Sequence, residues 1–167
     1  MTERSSSEDL VTIGPASPQG IVIEFPLSAS MEDSFAALTT PALVKQWLTG
    51  PEGTSLPVCE IDLQVGGEMR MVWRTPEGDI GMRGTYQDVS PPTRVIHTEL
   101  FDEDWTAGET LVTHSLRRLD DQTLVEVRID YSGEMVRDMI LDSPAVDGMR
   151  AGYARLIDRI GSFTVAE

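Results

Sequence analysis

Ser143-Pro144 opens a segment in which Val146, Met149, Tyr153, Leu156, Ile160 and Phe163 recur at intervals of three and four residues. That is the stripe of an α-helix with one buried face, and no other stretch of the chain restricts the architecture as strongly. A capping serine and a proline at the first helical position mark its start. Asp147, Arg150, Arg155, Asp158 and Arg159 fill the remaining faces. Gly148 and Gly152, four residues apart, predict close approach of this helix to its partner, at some cost in helix propensity.

The partner has to be a sheet. Ile21 to Phe25 reads as a first strand by its β-branched content. Two short helices follow. Ser30 is placed to cap one that starts at Met31 and carries Phe35 and Leu38, and Pro41 restarts the chain through Val44, Trp47 and Leu48. Strands are then expected at Cys59 to Val65, Glu68 to Thr75, Ile80 to Val89, Arg94 to Phe101, Thr110 to Leu119 and Leu124 to Tyr131. Turns rich in glycine, proline and aspartate separate them. Met135, Met139 and Ile140 mark one more short helix before Pro144. The order predicts an α+β fold: a curved antiparallel sheet of six to seven strands wrapped around a long C-terminal helix, with two short helices after the first strand.

At 167 residues the chain has the length of one domain. A globule of that size buries roughly 70% of its unfolded surface and needs no disulfide or metal to hold a core. The domain is expected over residues 20–163. Residues 1–19, with Ser5-Ser6-Ser7, Pro15 and Pro18, read as a flexible N-terminal tail, and residues 164–167 as a C-terminal tail. The net charge of −15 repels phosphate backbones and anionic bilayers, which argues against nucleic acid and membrane surfaces as partners. No apolar run approaches the ~18 residues of a membrane span, and Met1 to Asp9 lacks the apolar core of a signal peptide. With a single cysteine, Cys59, these features predict a cytoplasmic protein.

Four segments carry a family resemblance. Phe35 to Leu48 places a helix before Thr40-Pro41 and Trp47. Asp62 to Arg70 is similar to a "dlRvGGef" motif, with Gln64 where arginine is usual. Gly78 to Val89 with Pro91-Pro92 matches a strand pair ending in a double proline, and Gly148 to Tyr153 is similar to a "GmxxGW" helix motif with tyrosine for tryptophan. In this order the four resemble the START-like (SRPBCC) superfamily, specifically the family of homologues of the activator of the heat-shock-protein-90 ATPase. The resemblance implies a helix-grip (START/Bet v 1-like) fold with an internal cavity. It carries no catalytic motif, and fold alone does not fix function.

The residues suggest what such a cavity would hold. Alternation along Met69 to Arg74 puts Met69, Met71 and Trp73 on one face. The expected lining is Trp47, Met71, Trp73, Met82, Tyr86, His97, His114, Met139, Met149 and Tyr153. Methionine and aromatic side chains suit an adaptable apolar pocket and equally a plastic core. Pairing the strands around the 102–109 loop symmetrically sets residue i against about 211 − i, which places His97 opposite His114 and Glu99 on the same face. Two imidazoles and a carboxylate can bind a metal or transfer protons near neutral pH. They are also compatible with an ordinary half-exposed sheet face. The acidic loop carries Trp105 as a candidate gate or a tucked side chain, and the helix around Met135 to Ile140 is a candidate lid or a rigid connector.

Three functions follow as expectations. The first is non-enzymatic binding or sequestration of a small hydrophobic or amphipathic molecule. The second is a cyclase- or hydratase-type enzyme using His97 or His114 with Glu99. The third is an interaction module for a chaperone or for a second copy as a homodimer. No cofactor and no metal site are expected, since no phosphate loop or zinc spacing is present.

Overall fold

The computed structural model describes residues 7–163. One antiparallel sheet of eight strands dominates it: β1 (Thr12–Ala16), β2 (Gly20–Leu27), β3 (Ser55–Ile61), β4 (Glu68–Thr75), β5 (Gly78–Ser90), β6 (Arg94–Phe101), β7 (Thr110–Leu119) and β8 (Gln122–Asp130). Their order across the sheet is β1-β2-β8-β7-β6-β5-β4-β3. Helices α1 (Met31–Thr39) and α2 (Pro41–Trp47) leave β2, α3 (Glu134–Leu141) follows β8, and α4 (Ala145–Arg159) closes the chain. The helix-grip architecture stands as expected, with eight strands rather than six or seven.

Local chemistry explains most boundaries. The Ser30 hydroxyl accepts the Asp33 amide at 3.0 Å and starts α1. Ser143 Oγ accepts the Ala145 amide at 3.2 Å and donates to the Ile140 carbonyl at 2.7 Å, joining α3 to α4. β3 starts earlier than its sequence suggests and stops at Ile61, short of the expected Val65. Residues 62–67 turn instead, with Gly66 at φ +85°, and leave Leu63 and Val65 exposed. In that turn the Gly66 amide donates to the Tyr86 carbonyl (2.8 Å) and the Tyr86 amide to the Gly67 carbonyl (2.9 Å). The double glycine therefore anchors Tyr86. The core lies between sheet and helices, where β2 contributes Ile21, Ile23, Phe25 and Leu27, all essentially inaccessible to solvent.

The expected flexible tail over residues 1–19 is corrected from residue 7 onward. A short 3-10 turn at Glu8–Leu10 contacts α4, and β1 pairs with β2 from Thr12↔Glu24 to Ala16↔Gly20. Val11 is 1% exposed and joins the core. Polar anchors pin the rest: Ser7 donates to Asp158, Arg150 to the Val11 carbonyl, Arg128 to the Ser17 carbonyl (2.8 Å), and buried Arg137 to the carbonyls of Ala16 (3.0 Å) and Gly20 (3.1 Å). Residues 1–6 and the expected tail at 164–167 lie outside the described residues. Replacing Arg137 with alanine strips both carbonyls of their donor and is expected to destabilise the fold by about 2 kcal/mol. Native-state hydrogen exchange should then show the β1 amides opening first.

α3 packs on β1, β2 and α4. None of its residues borders the cavity described below, so it is a connector rather than a lid.

Candidate functional site

A cavity of about 330 Å³ lies between α4, α2 and the facing strands β4 to β8. Nine of the ten side chains expected to line it do so: Trp47, Met71, Trp73, Met82, Tyr86, His97, His114, Met149 and Tyr153. Met139 does not. It sits on the outer side of α3, 52% exposed, because α3 turns its other face to β1 and β2. All three tryptophans and all three tyrosines of the chain border the cavity, Trp105 and Tyr131 completing the set.

The apolar wall is fixed by side-chain hydrogen bonds to backbone. Trp47 Nε1 donates to the Ala37 carbonyl (2.9 Å), Trp73 Nε1 to the Leu48 carbonyl (2.9 Å), and Arg155 Nε to the Trp47 carbonyl (3.0 Å). These contacts tie α2 to α1, β4 and α4. Tyr153 stacks on Phe25 at 4.6 Å and packs on Trp47 at 5.6 Å. Gly148 and Gly152 do not bring α4 against the sheet as expected. A Cβ on Gly148 would meet nothing within 4 Å, and one on Gly152 only the Arg155 side chain at 3.8 Å. Both border the cavity, so their missing side chains leave volume open. Gly148 and Trp105, 44% accessible, are the exposed members of the lining and mark the opening. Trp105 packs on Phe101 at 5.2 Å, which itself lies 6.5 Å from Trp73.

The opposite wall is polar. β6 and β7 pair with Arg94↔Ser115 and His97↔Val112, two residues away from the symmetric register expected. A two-residue shift preserves the face of every side chain. His97 and His114 are therefore diagonal rather than opposite, with rings stacked 5.6 Å apart. His97 Nε2 lies 2.9 Å from Glu99 Oε2. An ionised carboxylate only accepts, so this nitrogen is the donor. The Nδ1 atoms of both histidines are buried without a hydrogen-bond partner among the described residues.

Burial, and secondarily the positive charge His97 would carry, lowers the pKa of His114 to about 3 and keeps it neutral at physiological pH. Tyr86, Tyr131 and Tyr153 all have phenol pKa values raised above the ordinary one, first by burial, with the Glu99 carboxylate adding to each. Cys59 is buried, and burial also raises its thiol pKa, the opposite of what a nucleophile needs. No group of three or more His, Cys, Asp or Glu side chains among the described residues is arranged to hold a metal ion. A second hollow, on the other side of the sheet, is bordered by Glu60, Glu68, Arg70, Arg83 and Glu109 and has no aromatic lining.

A curved sheet gripping a terminal helix over an aromatic-lined cavity defines a START-like ligand-binding scaffold. A family model for Activator of Hsp90 ATPase homolog 1-like proteins matches residues 28–163, and the chain belongs to that family. Among solved structures, a protein from Rhodobacter sphaeroides is 35% identical, with a TM-score of 0.86 over 93% of this chain and 100% of that one. The AHSA1 protein of Silicibacter pomeroyi (22% identity, TM-score 0.70, 86% and 98% covered) and a Staphylococcus epidermidis protein (19%, 0.79, 93% and 97%) share the fold. No curated protein matches the chain. Among the described residues, no helix is long and apolar enough to cross a membrane.

Proposed function

We propose that this protein binds and sequesters a small hydrophobic or amphipathic molecule in the cavity between α4 and the sheet. The observation that carries the reading is an open volume of about 330 Å³ bordered by every tryptophan and tyrosine of the chain. A plain core would close such a space, since protein interiors pack with few voids larger than a water molecule. The volume lies at the lower end of small-molecule sites, and the mixture of a mainly apolar wall with a few polar groups is typical of them.

Native mass spectrometry after mild purification, followed by a panel of apolar compounds, tests the reading. Adducts that disappear in Gly152→Leu are expected, because the new side chain grows into the cavity from a position with room for it. The same compounds should shift tryptophan emission, since all three indoles border the site. A protein that retains or takes up none of the panel would refute the proposal.

The 2.9 Å contact of His97 with Glu99 favours one second reading, an acid–base enzyme acting on the same bound molecule. In that case Glu99 is the proton acceptor and His97 positions it through that hydrogen bond.

A further inference from the structure

The charge inside the cavity is unevenly distributed. Of the side chains that border it, only Glu99 and Arg155 carry a formal charge when both histidines are neutral. Arg155 is held against α2, where its Nε donates to the Trp47 carbonyl, and its charged neighbours are Arg159 and Glu8. Glu99 shares the cavity wall with all three tyrosines, and its charge adds to the rise in each phenol pKa. Its Oε2 accepts a hydrogen bond from His97 Nε2 at 2.9 Å, which leaves Oε1 for a ligand. Glu99 is only partly buried, its side chain 25% accessible, so a carboxylate charge is available at the cavity wall to a ligand.

The surrounding surfaces have the same sign. Three tryptophans, three tyrosines and one phenylalanine border the cavity, and aromatic faces attract cations through their quadrupole. Around Trp105 at the opening, the loop carries Glu103, Asp104 and Glu109, and the whole chain has a net charge of −15. A field of that sign concentrates cations at the entrance and repels anions.

Building on the cavity reading, we infer that the site selects an apolar organic cation, an alkyl- or arylammonium, whose charge rests against Glu99 and the neighbouring aromatic faces while its apolar part lies along Met71, Trp73 and Met82. The pairing supplies a counter-charge to the carboxylate and leaves the methionines and tryptophan to the hydrocarbon. An anion of the same shape would meet the repulsion of Glu99.

The test is a tryptophan-fluorescence titration of the full chain with three ligands of matched shape: benzyltrimethylammonium, its uncharged carbon isostere neopentylbenzene, and phenylmethanesulfonate. The cation should bind at least about tenfold more tightly than the isostere, and the anion more weakly than both. In Glu99→Gln the isostere should keep its affinity while the preference for the cation falls below about threefold. The comparison of cation and isostere in the unaltered protein stands even if the variant folds poorly. Equal binding of cation and isostere, or an undiminished preference in Glu99→Gln, overturns the inference while the cavity reading survives. So does binding of neutral apolar compounds alone. If no apolar compound of any charge binds, the cavity reading falls and this inference with it.

Discussion

Replacing Gly84 with alanine is expected to destabilise the protein by about 3 kcal/mol or more, at the upper end of what overpacking does. Gly84 lies in β5 between Met82 and Tyr86, and a Cβ there would stand 1.8 Å from the Thr98 carbonyl oxygen and 3.3 Å from the Met69 side chain. Neither rotamer changes nor a flexible side-chain tip can relieve a clash with backbone. β5 must retreat from β6, which separates Tyr86 from His97, now 5.6 Å apart. The urea midpoint should fall by roughly 1–2 M, and ligand uptake should weaken with it. Gly148→Ala is the counterpart. Nothing lies within 4 Å of its missing Cβ, and the position is helical, so the change should stabilise by up to about 1 kcal/mol. Equal effects at the two glycines would refute the account of how β5 and β6 approach each other.

The second large effect is a loss of stability in mild acid, traced to His114. Its pKa is about 3 in the folded protein, lowered by burial and by His97, against an ordinary value near 6.5 in the unfolded chain. Between those limits the unfolded state binds a proton that the folded state refuses. The contribution is therefore fully present above about pH 6.5 and declines by about 1.4 kcal/mol per pH unit as the pH falls towards 3. From pH 7 to pH 5 the loss is about 2 kcal/mol. Asp88 and Asp102 have pKa values lowered by their hydrogen bonds to Arg94 and Arg70, so their contributions disappear only at more acidic pH. Urea unfolding at pH 7 and pH 5 should give a drop about 2 kcal/mol smaller for His114→Leu than for the parent protein. Parallel pH profiles would rule out His114 as the source.

What the sequence disclosed, and what it hid, follows from the range of the forces involved. Strands bounded by local chemistry were legible: β4, β6 and β7 begin and end where alternation and turn residues place them. So was the α4 stripe, because a 3.6-residue period reports burial directly. β1 was not. Thr12 to Ala16 holds Gly14 and Pro15, poor strand formers, and pairs only because β2 and the Arg137 guanidinium are waiting for it. Nine of the ten side chains expected at the cavity border it, the strand residues among them because alternation fixes which face each occupies. Met139 was misplaced because a helix with apolar residues on two sides does not announce which side is inward. The partnership of His97 with His114 came from a register two residues wrong, and it survives only because an even shift keeps the same face. The meeting of Glu99 with all three tyrosines at one cavity required the folded structure, since Tyr86 lies in β5, Tyr131 just after β8 and Tyr153 in α4.

The two outermost strands of the sheet have a consequence for how molecules of this protein behave toward one another. β1 carries Pro15 and β3 carries Pro57 beside a register shift, so each free margin of the sheet lacks an amide donor where a neighbouring chain would need one. Extension of the sheet from one copy to the next, the route by which exposed strands seed fibrils and tangled oligomers, is interrupted at both ends. Each molecule's sheet is thereby a poor template for the edge of a second copy.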